Sequence, residues 1–352
     1  GLHQSVNTGM EKYNREGKLG EGAHGVVYKA TIKKTGQVVA IKKIRFGELK
    51  EGANFTALRE IRLLQELRHE NVISLIDVFI LNQNIHLVVE YCVTDLEHVI
   101  RDKSLVLTVA HVKSIMQMLL EALQYCHKHW VLHRDLKPGN LFIAPDGQLK
   151  LADFGLSRQF GSPNPKYTSV VVTRWYRPPE LFFGSKQYGQ GVDMWSCGCV
   201  FGELLLRSPL FAGDTDIDQL SRIFSSLGSP KESDWPMMKT LPAYMEFTHH
   251  DGIPLGKIFT AAPDDAVKLI AQMLKYDPQK RVAAADALFH EYFQNAPAPS
   301  PPELIPLPKQ RKRKEKPAVV IKKELDRPDI KTNLADKFSE MDKMDESKDD
   351  IF

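Results

Sequence analysis

The sequence predicts an α+β protein of two lobes: a small N-terminal antiparallel β-sheet lobe with one helix, then a larger, mainly helical C-terminal lobe. Three observations predict it. Between Glu11 and Glu90, β-forming residues cluster in short runs, such as Val26-Val27-Tyr28, Val38 to Ile41 and Ile85 to Val89, separated by turn formers such as Lys34-Thr35-Gly36. From about Val93 to Phe293, longer amphipathic runs take over, among them His111 to His127 and Val192 to Leu206. At Asn295 the composition breaks again, and Ala-Pro-Ala-Pro-Ser-Pro-Pro (296–302) opens a tail.

One helix interrupts the strands. Phe55, Leu58, Ile61, Leu64 and Leu67 recur every three residues, which places one apolar stripe along it. The chain thus divides into a polar, aperiodic arm (1–10), a strand lobe with its hinge (11–92), a helical lobe (93–295) and a tail (296–352). The tail is Pro-rich, then basic, then mixed in charge, and is expected to be disordered because it cannot bury enough apolar surface alone.

Composition narrows the function. With 43% hydrophobic and 26% charged residues, the 352-residue chain can build a substantial core. Lys and Arg number 47 against 44 Asp and Glu, a net +3, which excludes bulk-charge coating of nucleic acid or membrane. Cys92, Cys126, Cys197 and Cys199 are scattered without a CxxC pair, against a zinc site or a disulfide scaffold and for a reducing compartment. The most apolar stretch, Val192 to Leu206, carries Asp193 and Glu203 and is too short for a membrane span. No N-terminal pattern suggests secretion, so a soluble intracellular protein is expected.

The chemistry concentrates in four places. Gly20-Glu-Gly22-Ala-His-Gly25-Val26-Val27 is a GxGxxGxV pattern between two strands, where glycines let backbone approach phosphates. A glycine-rich hairpin in any β-lobe would look similar, and the strand that follows speaks against dinucleotide binding. Seventeen residues after Gly25, the strand Val39-Ala40-Ile41 ends in Lys42. Its ammonium is either a solvated strand end or a phosphate ligand held by a carboxylate, for which Glu60 on the helix is the candidate.

His133-Arg134-Asp135-Leu136-Lys137-Pro138-Gly139-Asn140 is more specific, and Asp153-Phe154-Gly155 follows eighteen residues after Asp135. Phosphoryl transfer from ATP needs a carboxylate that orients and deprotonates the acceptor hydroxyl, and oxygen ligands for Mg²⁺. Asp135 fits the first role and Asn140 with Asp153 the second, while Lys137 can stabilise the transferring group. Polar surface loops would have to produce both motifs in this order by chance.

These residues match the protein-kinase signature set, and the chain is identified as resembling that family. The family's Ala-Pro-Glu element stands here as Pro178-Pro179-Glu180, which leaves room for a Glu180–Arg281 ion pair. Asp193-Met194-Trp195 resembles the core helix that ties the catalytic loop from below, and His133 is read as packing. Phe55 to Glu60 resembles a cyclin-contacting helix, and Val171 to Arg177 the substrate-side segment of the cyclin-dependent kinases, with Val172 and Arg174 shaping the groove. Within that group, Ser104 to Thr108, Gly161 to Asn164, Tyr167-Thr168 and Gly252 to Leu255 resemble the CDK-activating, cyclin-dependent kinase 7 type. Gly22 to Gly25 and His290 to Phe293 are closer to the cell-cycle-related kinase, the alternative within the group. A pseudokinase scaffold is the alternative from another class.

The resemblance implies more. ATP and Mg²⁺ would be the cofactors. Leu19, Gly20, Gly22, Gly25, Val27, Ala40, Lys42, Val89, Glu90, Cys92, Asp95 and Leu141 would bind the nucleotide, Glu90 to Cys92 at the adenine and Asp95 at the ribose. Val89 stands where relatives often carry a bulky aromatic. Arg59, Arg134 and Arg158 would converge on a phosphorylated Thr168, with Ser162 a second modification site. Ala23-His24 replaces an inhibitory Thr-Tyr pair, so that brake is absent. The implied partners are a cyclin H-type subunit, a MAT1-type assembly factor and the TFIIH complex. The implied substrates are activation loops of other cyclin-dependent kinases and the repeat tail of RNA polymerase II. The run Lys309 to Lys316 reads as a nuclear localisation signal or a solvated charge run; direct DNA binding is not expected.

Overall fold

A computed structural model of the chain describes residues 9–22, 25–45, 51–82, 84–159 and 173–308. The candidate modification sites Ser162 and Thr168, the pair Ala23-His24 and the basic run from Lys309 lie outside the described residues. Two units are present, one holding residues up to Ile61 with Leu75–Tyr91, the other Arg62–Ser74 with Cys92–Leu307.

The first unit contains β1 (Tyr13–Gly22), β2 (Gly25–Ile32), β3 (Val38–Arg45), the part of α1 (Glu51–Glu66) up to Ile61, β4 (Leu75–Leu81) and β5 (Asn84–Glu90). The strands form one antiparallel sheet in the order β1-β2-β3-β5-β4. Because side chains alternate along a strand, each strand divides its residues between two faces. Val39, Ile41 and Val88 pack with Tyr13, Ala30 and Phe79 on one face. Ile44, Ile85 and Leu87 take the other, against Ala57 and Ile61 of α1. Four residues of the predicted helical stripe are buried: Leu58 and Ile61 are 1% exposed, Leu64 and Leu67 3%.

The second unit contains β6 (Thr94–Asp95), α2 (Leu96–Arg101), α3 (Val109–Lys128), β7 (Val131–Leu132), β8 (Leu141–Ile143), β9 (Leu149–Leu151), β10 (Arg158–Gln159), α4 (Pro179–Phe182), α5 (Gly191–Leu206), α6 (Asp216–Leu227), α7 (Leu255–Ile258), α8 (Asp264–Met273), α9 (Ala284–Ala287) and α10 (Glu291–Gln294). Its two small sheets, β6-β8-β9 and β7-β10, are antiparallel and present the loops that carry the chemistry. Thr108 caps α3 in a reciprocal capping box with His111. The run Val192–Leu206 reads as amphipathic, yet α5 is buried on every side from Val192 to Leu204, its Asp193 and Glu203 included. It is a core helix. No helix among the described residues is long and apolar enough to cross a membrane.

One expectation is corrected. The segment from Ala296 reads as the start of a disordered tail, but residues 296–307 are packed on the second unit. The Ser300 N–H donates to the Ala110 carbonyl at 3.0 Å, and Ile305 is only 3% exposed. A Pro-rich segment with too little apolar surface to fold by itself can still dock on a surface already formed.

Candidate active site

In the first unit, alternation and register place the nucleotide candidates together. Val27 lies opposite Lys42, and Ala40 opposite Val89. All four share the sheet face that also holds Ile44 and carries α1. There Lys42 Nζ donates to both oxygens of Glu60, at 2.8 and 3.1 Å. Lys42 keeps 18% of its side chain exposed and Glu60 6%, so the ammonium remains reachable while the carboxylate is enclosed. The sequence proposes this pairing; the strand parity explains it.

The glycine pattern spans the turn of the β1–β2 hairpin, with Gly22 opposite Gly25. At Gly25, φ is +121° and a Cβ would lie 2.1 Å from the Lys43 carbonyl oxygen, so only glycine fits. At Gly20 nothing lies within 4 Å of where a Cβ would stand. The protein's own packing does not demand glycine there; close approach by a ligand would. Leu19 adjoins it on β1, half-buried. Glu90 ends β5 opposite Val39.

In the second unit, Asp135 is 5% exposed and both of its oxygens are engaged. Oδ2 accepts from Lys137 Nζ at 2.8 Å and Asn140 Nδ2 at 3.0 Å. Oδ1 accepts from the Thr173 N–H at 3.1 Å and its hydroxyl at 2.9 Å, and Lys137 Nζ also reaches Thr173 Oγ1 at 3.1 Å. Thr173 was legible only as part of the substrate-side segment. Its tie to a carboxylate 38 residues away is a tertiary contact without a local signal.

Asn140 spends its amide nitrogen on the backbone and side chain of Asp135, so that Oδ1 is the side-chain atom it could offer a cation. The N–H of Ala152, the residue before Asp153, donates to the Asn140 carbonyl at 3.0 Å. That bond closes the β8–β9 hairpin at the end where the two metal candidates sit. Asp153 adopts left-handed backbone, φ 65°, and Arg134 does the same at φ 64°. Non-glycine residues take this region at a cost of about 1–2 kcal/mol, so both are held there by their surroundings.

The holder of Arg134 is Asp193 on α5. Its Oδ1 accepts the Arg134 N–H at 2.9 Å, and its Oδ2 accepts the His133 N–H at 2.9 Å and His127 Nε2 at 2.9 Å. Burial alone would raise this carboxyl. The His127 hydrogen bond, the neighbouring histidines and the Arg134 N–H outweigh it and hold the group below the usual carboxylate range. His133 contacts the Ala152 carbonyl through Nε2 at 2.9 Å and meets the Phe154 ring edge-on, a packing role as expected. Further on, Arg281 forms a bidentate pair with Glu180, at 2.6 and 2.7 Å, with both side chains 2% exposed or less. Pro178 in place of alanine leaves that pair intact.

Arg134 is already engaged without a phosphate: its Nε donates to the Leu156 carbonyl at 2.7 Å and its NH1 to the Tyr188 hydroxyl at 2.8 Å. Burial pulls its guanidinium below the usual range; the Tyr188 contact opposes this, and the nearby Arg158 charge adds to it. Arg59 belongs to the other unit, on α1. Asp95 caps α2, accepting from the His98 N–H at 2.9 Å, and both of its oxygens also meet the His98 ring at 2.8 Å. Leu141 is fully buried at the start of β8 and Cys92 is half-buried. Arg174 is held by Asp216 at 2.9 Å. A cavity of about 550 Å³ between His249–Leu255 and Leu274–Lys280 includes none of these candidates.

The family model of the protein kinase domain matches residues 13–293. Cyclin-dependent kinase D-1 of rice (Oryza sativa subsp. japonica) is 55% identical over 298 residues, 85% of this chain and 70% of that protein. Cyclin-dependent kinase 7 of Xenopus laevis is 53% identical over 306 residues, 86% of this chain and 87% of that protein. A chain in the structure of the CAK complex from Chaetomium thermophilum bound to ATP-gamma-S superposes with a TM-score of 0.81 at 41% identity, covering 84% of this chain and 95% of that one. The chain belongs to the protein kinase family, as an ATP-dependent serine/threonine kinase of the cyclin-dependent kinase 7 and D type.

Proposed function

We propose that this chain is the catalytic subunit of a CDK-activating kinase, transferring the ATP γ-phosphoryl group to serine or threonine in the activation loops of other cyclin-dependent kinases and in the RNA polymerase II repeat tail. The observation that carries it is the closed set Asp135–Lys137–Asn140–Thr173. Four donors from three residues fix both oxygens of one buried carboxylate, so the base is oriented before an acceptor arrives. In this reading Asp135 accepts the acceptor hydroxyl's proton, and Lys137 carries positive charge to the transferring group. Thr173 bridges the two from the substrate-side segment.

Lys42, held by Glu60, binds the α- and β-phosphates, and the open position at Gly20 admits the phosphates close to backbone. Asn140 Oδ1 and Asp153 would hold Mg²⁺, which when bound neutralises charge building on the phosphates. Among the described residues no group of three or more His, Cys, Asp or Glu could hold a metal. This fits magnesium, which takes one or two carboxylates and completes its shell with phosphate oxygens and water. Arg59, Arg134 and Arg158 would receive a phosphorylated Thr168, the charge that orders the activation segment. A cyclin and a MAT1-type factor are proposed as partners, within TFIIH and in the nucleus. The similarity to cyclin-dependent kinase 7 and to a chain of the CAK complex supports that class of assembly.

Two measurements test this. Asp135→Asn should abolish turnover while ATP affinity stays within about twofold, since the base acts only on the acceptor; a large loss of nucleotide affinity would contradict the assignment. Co-purification from nuclear extract should recover a cyclin and a RING-type subunit, and the eluate should phosphorylate both an inactive cyclin-dependent kinase and a polymerase tail peptide. A monomer that phosphorylates neither would favour the cell-cycle-related alternative.

A further inference from the structure

The family model ends at Phe293, but the packed chain continues. Lys113, in the second turn of α3, is 1% exposed, an unusual place for an ammonium. Its Nζ donates to the carbonyls of Asn295 and Pro297, at 2.7 and 2.9 Å, and lies 4.9 Å from the Tyr292 ring centre. Both acceptors belong to the segment beyond the family boundary. The Ser300 N–H then fastens the segment to the Ala110 carbonyl, and Ile305 buries itself at the far end.

Between these anchors the segment meets the turn of the β8–β9 hairpin. At Gly147, φ is +84° and a Cβ would stand 1.9 Å from the Pro302 carbonyl oxygen. The hairpin is thus backed on one side by the segment. It is also held by α3, where the Leu149 N–H meets Met118 Sδ at 3.3 Å. Its opposite end is the Ala152–Asn140 bond, with Asn140 and Asp153 on either side.

We propose that residues 294–307 are a strap belonging to the catalytic unit, and that Lys113, by holding it, is a positioning residue for the hairpin whose ends carry Asn140 and Asp153. The magnesium consequence rests on the metal reading of those two residues given above; the mechanical one does not. Without the Lys113 ammonium, two strap carbonyls lose their donor, and the backing at Gly147 is released.

The test uses the full chain in two variants. Lys113→Met keeps the stem and removes the donors, while Ile305→Asp frees the far end of the strap without touching α3. Hydrogen exchange is followed in the nucleotide-free, Mg²⁺-free protein. In both variants the amides of Ala144, Gly147 and Leu151 should exchange about tenfold faster or more, while those of α5 stay within about twofold. Faster exchange at Ser300 with an unchanged hairpin would overturn the proposal. If Lys113→Met fails to fold, Ile305→Asp decides alone. In a separate arm, the Mg²⁺ midpoint for turnover should rise about threefold in the strap variants, below the loss typical of groups bonded directly to a metal ligand. An unmoved midpoint there, where Asn140→Ala moves it, would overturn the positioning role. An unmoved midpoint in Asn140→Ala itself would sink the metal reading and leave the exchange result to judge the strap.

Discussion

The two units hold their chemistry in different ways. In the first, the candidate phosphate ligand Lys42 pairs with Glu60, and its side chain is still 18% exposed. In the second, the Asp135 carboxylate accepts four hydrogen bonds, a fully buried Asp193 accepts two from the backbone of the same loop and one from His127 on α3, and a Glu180–Arg281 pair lies out of reach of water. A pair that keeps one side chain partly exposed can adjust to a ligand or a partner at small cost. A buried network cannot, because each member left alone becomes an uncompensated polar group. The first unit is built to receive and the second to hold still.

The largest expected effect tests that contrast on stability. Arg281→Ala should cost about 3–5 kcal/mol in chemical denaturation, because it strands a buried Glu180 carboxylate. Lys42→Met should abolish turnover for about 1–2 kcal/mol of stability. Equal stability losses would erase the distinction. Replacing both Glu180 and Arg281 with methionine should cost less than Arg281→Ala alone.

A second test concerns the base. Thr173→Val keeps the β-branched shape and the backbone N–H but removes the hydroxyl between Asp135 and Lys137. Turnover should fall about 10- to 100-fold with ATP affinity unchanged, the cost of a slightly misplaced base. Unaltered turnover would mean that Lys137 and Asn140 suffice to orient Asp135.

The smallest effect lies in the sheet and appears only in acid. His86 on β5 is 3% exposed, stacks on Phe79 with ring centres 4.8 Å apart, and has its pKa brought down to about 4. Burial is the main cause; a contact with the Asn84 carbonyl opposes it, and the Lys43 and Arg15 charges add to it. In the unfolded chain His86 would titrate near 6.5, so there it takes up a proton first as pH falls. Stability is therefore lost between about pH 6.5 and 4, by on the order of 2 kcal/mol. Thermal melts of His86→Phe across that window should show a shallower loss than the wild-type chain; parallel curves would remove His86 from the account.

How much of this was readable beforehand depends on the range of the interaction. Lys42 and Glu60 could be paired in advance because a lysine after an apolar strand run and a helix with an apolar stripe are both local patterns, although β3 continues past Lys42 to Arg45 instead of ending there. The parity of β3 then left Lys42 only one face to point from. The HRD and DFG residues were legible because phosphoryl transfer needs those chemical types in a short span. Thr173, the bonds of Asp193 and the hold of Arg134 on Leu156 and Tyr188 were not, since their partners are between 22 and 66 residues away.

Fold class, family and the list of chemical groups are legible along the chain, because period, turn chemistry and motif spacing are properties of neighbours in sequence. Which of those groups are oriented, and what holds them, depends on packing between distant segments. The tertiary structure also decided that residues 296–307 are packed. A segment judged alone lacks the apolar surface to fold, but Lys113 supplies donors for two of its carbonyls, the β8–β9 turn lies against it, and Ile305 finds a place to bury, all on elements formed far away in sequence.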